Sequence, residues 1–215
     1  MKRNRYAQSS IKRGGDILIA SIGIVLCTPI LVCASIAVLL DGTRGPLLSD
    51  GPMRLGRGGR KITVYKFRSM IPDADNMIRN RRAYAHLRSK QKEKGKLRLS
   101  EDPRITVVGK IIRNFDIDEL PQLFNVLMGT MSIVGPRPYL ERELLDGSVP
   151  KKERAAIMSV RPGVTGIWQV SGRNNLTFHQ RVELDAGYAK NASLFEDMCI
   201  LLRTPKAVIF RKGAW

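Results

Sequence analysis

The chain has 215 residues and carries 37 Lys and Arg against 19 Asp and Glu, a formal charge of +18. That length holds one ordinary domain with an appendage and argues against two full domains, while the positive excess asks for an anionic partner: nucleic acid, an anionic membrane surface or a phosphate-bearing substrate. Three cysteines, Cys27, Cys33 and Cys199, show no CxxC spacing or disulfide framework and indicate a reducing compartment, and two histidines make a His-built metal site improbable.

In chain order, the first element is the uncharged run at 17–40, ILIASIGIVLCTPILVCASIAVLL. About twenty such residues suffice to cross a bilayer core as a helix. Lys2, Arg3, Arg5, Lys12 and Arg13 precede it like a signal-peptide n-region, but the apolar run exceeds the usual length of about 7–15 residues. A lipoprotein signal fails because Leu26 and Val32, not small residues, precede Cys27 and Cys33. Pro29 removes a backbone donor in mid-run and predicts a sharp bend. Arg44, Arg54, Arg57, Arg60 and Lys61 follow the segment, so both flanks are basic and pull to the cytoplasmic side. The expectation is a re-entrant hairpin rather than a straight span, with a division into a membrane segment, 1–45, and a cytoplasmic-face domain, 46–215.

Residues 41–60 are dense in Gly and Pro and read as turns. KITVYKFRSM (61–70) reads as a short strand delivering Lys66 and Arg68 to its end. Residues 73–94 have a thin helical apolar stripe among many arginines and lysines, suiting either a solvated face or anionic headgroups. SEDPRITVVGK reads as a turn and strand, and 108–114 as a helical approach carrying Arg113.

NFDIDELPQLFN (114–125) places Asp118 and Glu119 side by side before Pro121, which suits the first turn of a helix. Plain capping by ionised carboxylates is one reading, worth about 0.3–1 kcal/mol. The other is chemistry. Adjacent helical residues project about 100° apart, so one carboxylate could act as nucleophile or base while the other holds a cation. Asp116 reads as a cap. GPRP (135–138) presents Arg137 between two prolines that restrict its backbone, and RPGVTGIWQVSGR (161–173) has Gly-rich turns that can expose N–H groups to an anion. From 193 to 213, apolar and basic residues interrupted by Pro205 predict two short amphipathic helices in the membrane interface, with Trp215 at the headgroup level.

YKFRSM, DPRITVVGKIIRNFDIDELPQLFNVLMGTMSIVGPRP and RPGVTGIWQVSGR resemble the signature blocks of the bacterial sugar transferases, monotopic polyprenyl-phosphate phosphoglycosyl transferases. The resemblance runs from IKRGGD at residue 11 to the C-terminus, weakens over 75–98, and is nearest in its tail to exopolysaccharide-initiating members.

It implies an α+β fold, mainly helical with short strands, a re-entrant membrane helix broken at Thr28-Pro29 and interfacial amphipathic helices. The implied reaction moves galactose-1-phosphate or glucose-1-phosphate from a UDP-sugar to undecaprenyl phosphate, at the bacterial inner membrane with the catalytic domain facing the cytoplasm. Asp118 corresponds to the family's nucleophile and Glu119 to its Mg²⁺ ligand. Lys66, Arg68, Arg113 and Arg137 correspond to basic positions that hold phosphates. A homodimer and downstream glycosyltransferases are the further partners expected, and nucleic acid is not.

Asp116 departs from the small hydroxyl residue common in the family at that place, and Gly129-Thr130 lacks an acidic residue often found there. The four additional spanning helices of larger relatives have no counterpart, which points to the minimal catalytic form. Two other readings compete: a non-catalytic, membrane-anchored basic module for nucleic acid or acidic polymer, and an aspartyl-phosphate phosphatase.

Overall fold

The computed structural model describes residues 4–42, 47–48, 52–72, 74, 102–145 and 147–209. The expected basic helix at 73–94 falls almost wholly outside them, and Trp215 does so entirely.

The uncharged run folds as the helix α1, Ser10–Leu40, which continues through Pro29. Just before the proline, Thr28 Oγ1 donates to the Ile24 carbonyl at 2.8 Å. Leu18, Val25, Leu26, Leu39 and Leu40 lie open on its surface, as a lipid-facing helix requires. Among the described residues α1 is the one helix long and apolar enough to cross a membrane.

The chain divides into two compact units, with one division falling between Thr28 and Pro29. The larger comprises Met1–Thr28, Asp50–Tyr65 and Pro121–Ala214, and the smaller Pro29–Ser49 and Lys66–Leu120.

In the larger unit, β1 (Arg54–Leu55) pairs antiparallel with β2 (Lys61–Ile62). Next in that unit come α3 (Gln122–Leu127), β3 (Ser132–Val134), α4 (Glu141–Leu145), α5 (Lys151–Ile157), β4 (Gly163–Thr165), α6 (Ile167–Ser171), α7 (Phe178–Asn191) and α8 (Leu194–Ile209). The intervening α2 (Val107–Asn114) belongs to the smaller unit. β3 and β4 are parallel, with Ser132 opposite Gly163 and Val134 opposite Thr165. Their closeness depends on glycine: a Cβ on Gly163 would stand 2.1 Å from the Gly135 nitrogen, and one on Gly166 2.2 Å from the Gly135 carbonyl oxygen. The GPRP and RPGVTG blocks are therefore two halves of one backbone contact. Val126, Met131, Tyr139, Leu144, Val182 and Ile200 fill the core beneath it.

A buried charge network ties the start of α1 to this core. Lys12 Nζ donates to Asp197 Oδ2 at 2.6 Å and to the Val134 carbonyl at 3.1 Å, while Tyr6 and Tyr188 hydroxyls also donate to Asp197. Asp16 Oδ1 accepts from the Ser132 hydroxyl and the Ile133 N–H. Each charge is matched by an opposite charge or several donors, which offsets the cost of burying it, although Asp16 Oδ2 is buried without a hydrogen bond among the described residues.

The smaller unit packs Ala34 and Val38 of α1 against Phe67 and Ile112. Each fully buried Val, Ile or Phe contributes about 1.5–3 kcal/mol.

The fold is mainly helical with short strands, as expected, but three elements differ. The strand expected over 61–70 ends at Ile62, because the Asn125 side chain stands in for a neighbouring strand: its Nδ2 donates to the Thr63 carbonyl and its Oδ1 accepts the Tyr65 N–H. The end of SEDPRITVVGK, expected as a turn and strand, instead opens α2, which covers the helix expected over 108–114. Thr106 Oγ1 caps it by accepting the Gly109 N–H at 2.8 Å, and a Cβ on Gly109 would stand 2.0 Å from the Ser69 carbonyl oxygen. The two C-terminal helices expected on either side of Pro205 are one, α8, in which Thr204 Oγ1 donates to the Ile200 carbonyl one residue before the proline.

Candidate active site

The Asp-Glu pair sits in a 3-10 turn, Ile117–Glu119, and the next helix begins only at Gln122. Asp116 holds the cap position of that turn in the left-handed region, φ 53°, without a side-chain capping bond. It thus occupies the cap position, as expected, without the side-chain bond that capping implies. Left-handed φ is tolerated by Asp far better than by β-branched residues, which gives the family departure at this position a local reason.

Lys66, Arg113, Asp118 and Glu119 come together in the smaller unit. The Phe67 N–H donates to the Asp118 carbonyl at 3.0 Å, fixing the turn against the segment that carries Lys66. Lys66 Nζ pairs with Glu119 Oε1 at 2.5 Å, both side chains being more than a third exposed. Arg113 Nε donates to the Ser69 hydroxyl at 2.7 Å. Burial lowers the Arg113 pKa from its ordinary value, with the Asp118 charge the largest opposing influence.

Asp118 is 8% exposed, and its carboxylate accepts no hydrogen bond from the described residues. Burial and, after it, the Glu119 charge push its pKa up to about 6, against the pull of Lys66 and Arg113. Sequence reasoning expected ionised caps at a helix start. Burial outweighs that influence and leaves a poorly solvated carboxylate beside two cations.

Arg68 goes elsewhere. Its Nη2 donates to the Val38 carbonyl at 2.7 Å and to Asp41 Oδ1 at 3.3 Å, all buried at the end of α1. Carbonyls at a helix C-terminus attract a guanidinium, which accounts for this placement. Asp102 and Arg104 form a further buried, two-point ion pair in the same unit, with Nε to Oδ1 at 2.9 Å and Nη2 to Oδ2 at 2.7 Å.

Arg137 belongs to the larger unit. Its main-chain N–H and the Tyr139 hydroxyl both donate to Asp185 Oδ2, at 2.9 and 2.8 Å. Asp185 is fully buried, and burial pushes its pKa up to about 7 despite those two bonds. The Arg137 guanidinium lies over the Trp168 ring, 5.3 Å from its centroid. Asp185, Ser69 and the Lys12–Asp197 pair escaped sequence reasoning. The i,i+4 spacing of Arg181 and Asp185 on α7 was the one available signal for the first; the others are set by contacts distant in sequence.

Residues 7–211 match the family model described as bacterial sugar transferase, and the chain belongs to that family. It is 40% identical to the undecaprenyl-phosphate galactose phosphotransferase of Salmonella typhimurium over 99% of this chain and 44% of that protein. It is 37% identical to the exopolysaccharide production protein ExoY of Rhizobium meliloti over 95% of this chain and 88% of that protein. It is 35% identical to the undecaprenyl-phosphate glucose phosphotransferase of Komagataeibacter xylinus over 95% of this chain. The chain spans 44% and 37% of the two phosphotransferases' lengths.

Proposed function

We propose that this chain moves a hexose-1-phosphate of galactose or glucose type from a UDP-sugar to a polyprenyl phosphate such as undecaprenyl phosphate. The observation carrying this reading is the buried Asp118 carboxylate, without a hydrogen bond from the described residues, beside Lys66, Arg113 and Glu119. Names borne by its relatives supply the chemical class of the acceptor.

Asp118 attacks the β-phosphorus of the donor. An Oδ–P bond forms, the bond from that phosphorus to the bridging oxygen breaks, and UMP leaves with its electron pair. A phosphate oxygen of the polyprenyl acceptor then attacks the same phosphorus, and Asp118 departs as the carboxylate. Weak solvation makes the carboxylate a better nucleophile than it would be in water, and Lys66 with Arg113 offsets the repulsion between two anions. Arg137 holds phosphate in the same reading, whereas Arg68 secures the end of α1.

Glu119 is the metal donor. Among the described residues no group of three or more His, Cys, Asp or Glu side chains could hold a metal ion. Mg²⁺ commonly takes one or two carboxylates and completes its shell with substrate phosphates and water, and Glu119 would supply one such carboxylate. When bound, Mg²⁺ neutralises charge on the donor diphosphate.

The reaction is placed at the cytoplasmic face of the bacterial inner membrane, with α1 entering the bilayer as a re-entrant element around Thr28-Pro29. Exposed Phe195, Met198 and Leu202 recur at three- and four-residue spacing on α8 and form an apolar stripe suited to the membrane interface.

Purified protein incubated with Mg²⁺, undecaprenyl phosphate and a panel of UDP-sugars should release UMP from one hexose donor. Asp118→Asn should release none; UMP release by that variant at the wild-type rate would refute the assignment.

A further inference from the structure

Trp168 is 7% exposed and carries two guanidinium groups over its indole: Arg137 at 5.3 Å and Arg181 at 5.8 Å from the ring centroid. Among the described residues neither guanidinium forms an ion pair or hydrogen bond. Arg181 Nε and the Trp168 Nε1–H are both buried without a partner. The nearby Asp185 and Glu143 carboxylates act on Arg181 by charge alone, without a hydrogen bond to either guanidinium: Asp185 Oδ2 accepts from the Arg137 main-chain N–H and the Tyr139 hydroxyl, and its Oδ1 is buried and unbonded among the described residues.

Two half-buried guanidiniums beside one ring repel each other, and burial followed by the Arg137 charge lowers the Arg181 pKa. A buried donor without a partner keeps its desolvation penalty, so a cluster of them calls for an acceptor brought from outside. A planar fork of donors matches phosphoryl oxygens, and an aromatic ring beneath it fixes its plane. Spacing on α7 fits the arrangement: Arg181 and Asp185 are one turn apart, so the helix that anchors the Arg137 backbone also supplies the second guanidinium.

We infer that Arg137, Arg181 and Trp168 form a phosphoryl-binding site, with Arg181 a second phosphate ligand beyond the four cations expected from the signature blocks. The inference rests on the transferase reading for the identity of its phosphate ester, which belongs either to the nucleotide donor or to the lipid acceptor.

The test uses the full chain in detergent and measures the affinity of UDP and of farnesyl phosphate in wild type, Arg181→Gln and Arg181→Lys. Arg181→Gln should weaken one of the two ligands about tenfold at unchanged melting temperature, the ordinary worth of one charge-assisted hydrogen bond. Arg181→Lys should recover part of the loss. Loss confined to UDP assigns the site to the donor, and loss confined to farnesyl phosphate assigns it to the acceptor. Wild-type affinity for both ligands in Arg181→Gln overturns the inference. If that variant melts early, Arg181→Met, which keeps an apolar stem against the indole, replaces it with the same two outcomes. Absence of UMP release by the wild-type chain would sink the transferase reading, whereas the binding comparison still decides this site.

Discussion

Replacing Asp118 by Asn should abolish UMP release and at the same time make the folded protein more stable. The carboxyl pKa rises from 3.8 to about 6 on folding, burial being the largest cause. A folded-state value above the unfolded one means that the native state prefers the protonated form. The favourable contribution is fully present below about pH 4, declines as pH rises through 6, and is replaced above that by the cost of holding a buried charge. About two units at about 1.4 kcal/mol each put that cost near 3 kcal/mol. Asn removes the charge but buries an amide whose own desolvation costs about 1 kcal/mol, leaving a net gain of roughly 2 kcal/mol at pH 8. For a chain of this size that raises the melting temperature by roughly 4–8 °C. Thermal unfolding of both proteins in detergent, followed by tryptophan fluorescence at pH 8 and at pH 4.5, measures it. A variant that melts at or below wild type at pH 8, or a gap that does not shrink on acidification, would refute the claim that burial dominates Asp118.

Lys66→Met removes a charge that lowers the Asp118 pKa, so the acid limb of the pH profile for UMP release should move to higher pH; Glu119→Gln should move it the other way, and the two profiles of kcat/KM check the pair. Gly163→Ala introduces a Cβ 2.1 Å from the Gly135 nitrogen, so β3 and β4 must separate; loss of folded protein on size-exclusion chromatography is expected, and a wild-type elution profile would contradict it.

Much of the site was readable before any coordinates because phosphate chemistry needs residue types that are unusual together. Adjacent acids before a proline, and Arg137 between prolines, stand out in a linear chain. The long uncharged run was equally plain, since its length and lack of charge suit one environment. What escaped notice depends on partners far away in sequence. Asn125 satisfies the Thr63 carbonyl and the Tyr65 N–H, so a segment with strand-like alternation has no strand beside it. Arg68 lies two residues from Lys66 yet serves a helix end, a distinction that charge alone does not carry. Burial raises the Asp118 pKa where capping alone would lower it, and nothing in the neighbouring letters reports burial.

Asp185 holds residue 137 by a hydrogen bond to its main chain and makes none to its side chain. Position 137 is therefore a socket whose seat does not depend on what is plugged into it, with Pro136 and Pro138 on either side keeping the opening steady. Any residue with an N–H would be held in the same pose. Side chains of graded length and charge can be exchanged there to probe the proposed phosphate contact, with the surrounding scaffold serving as its own control.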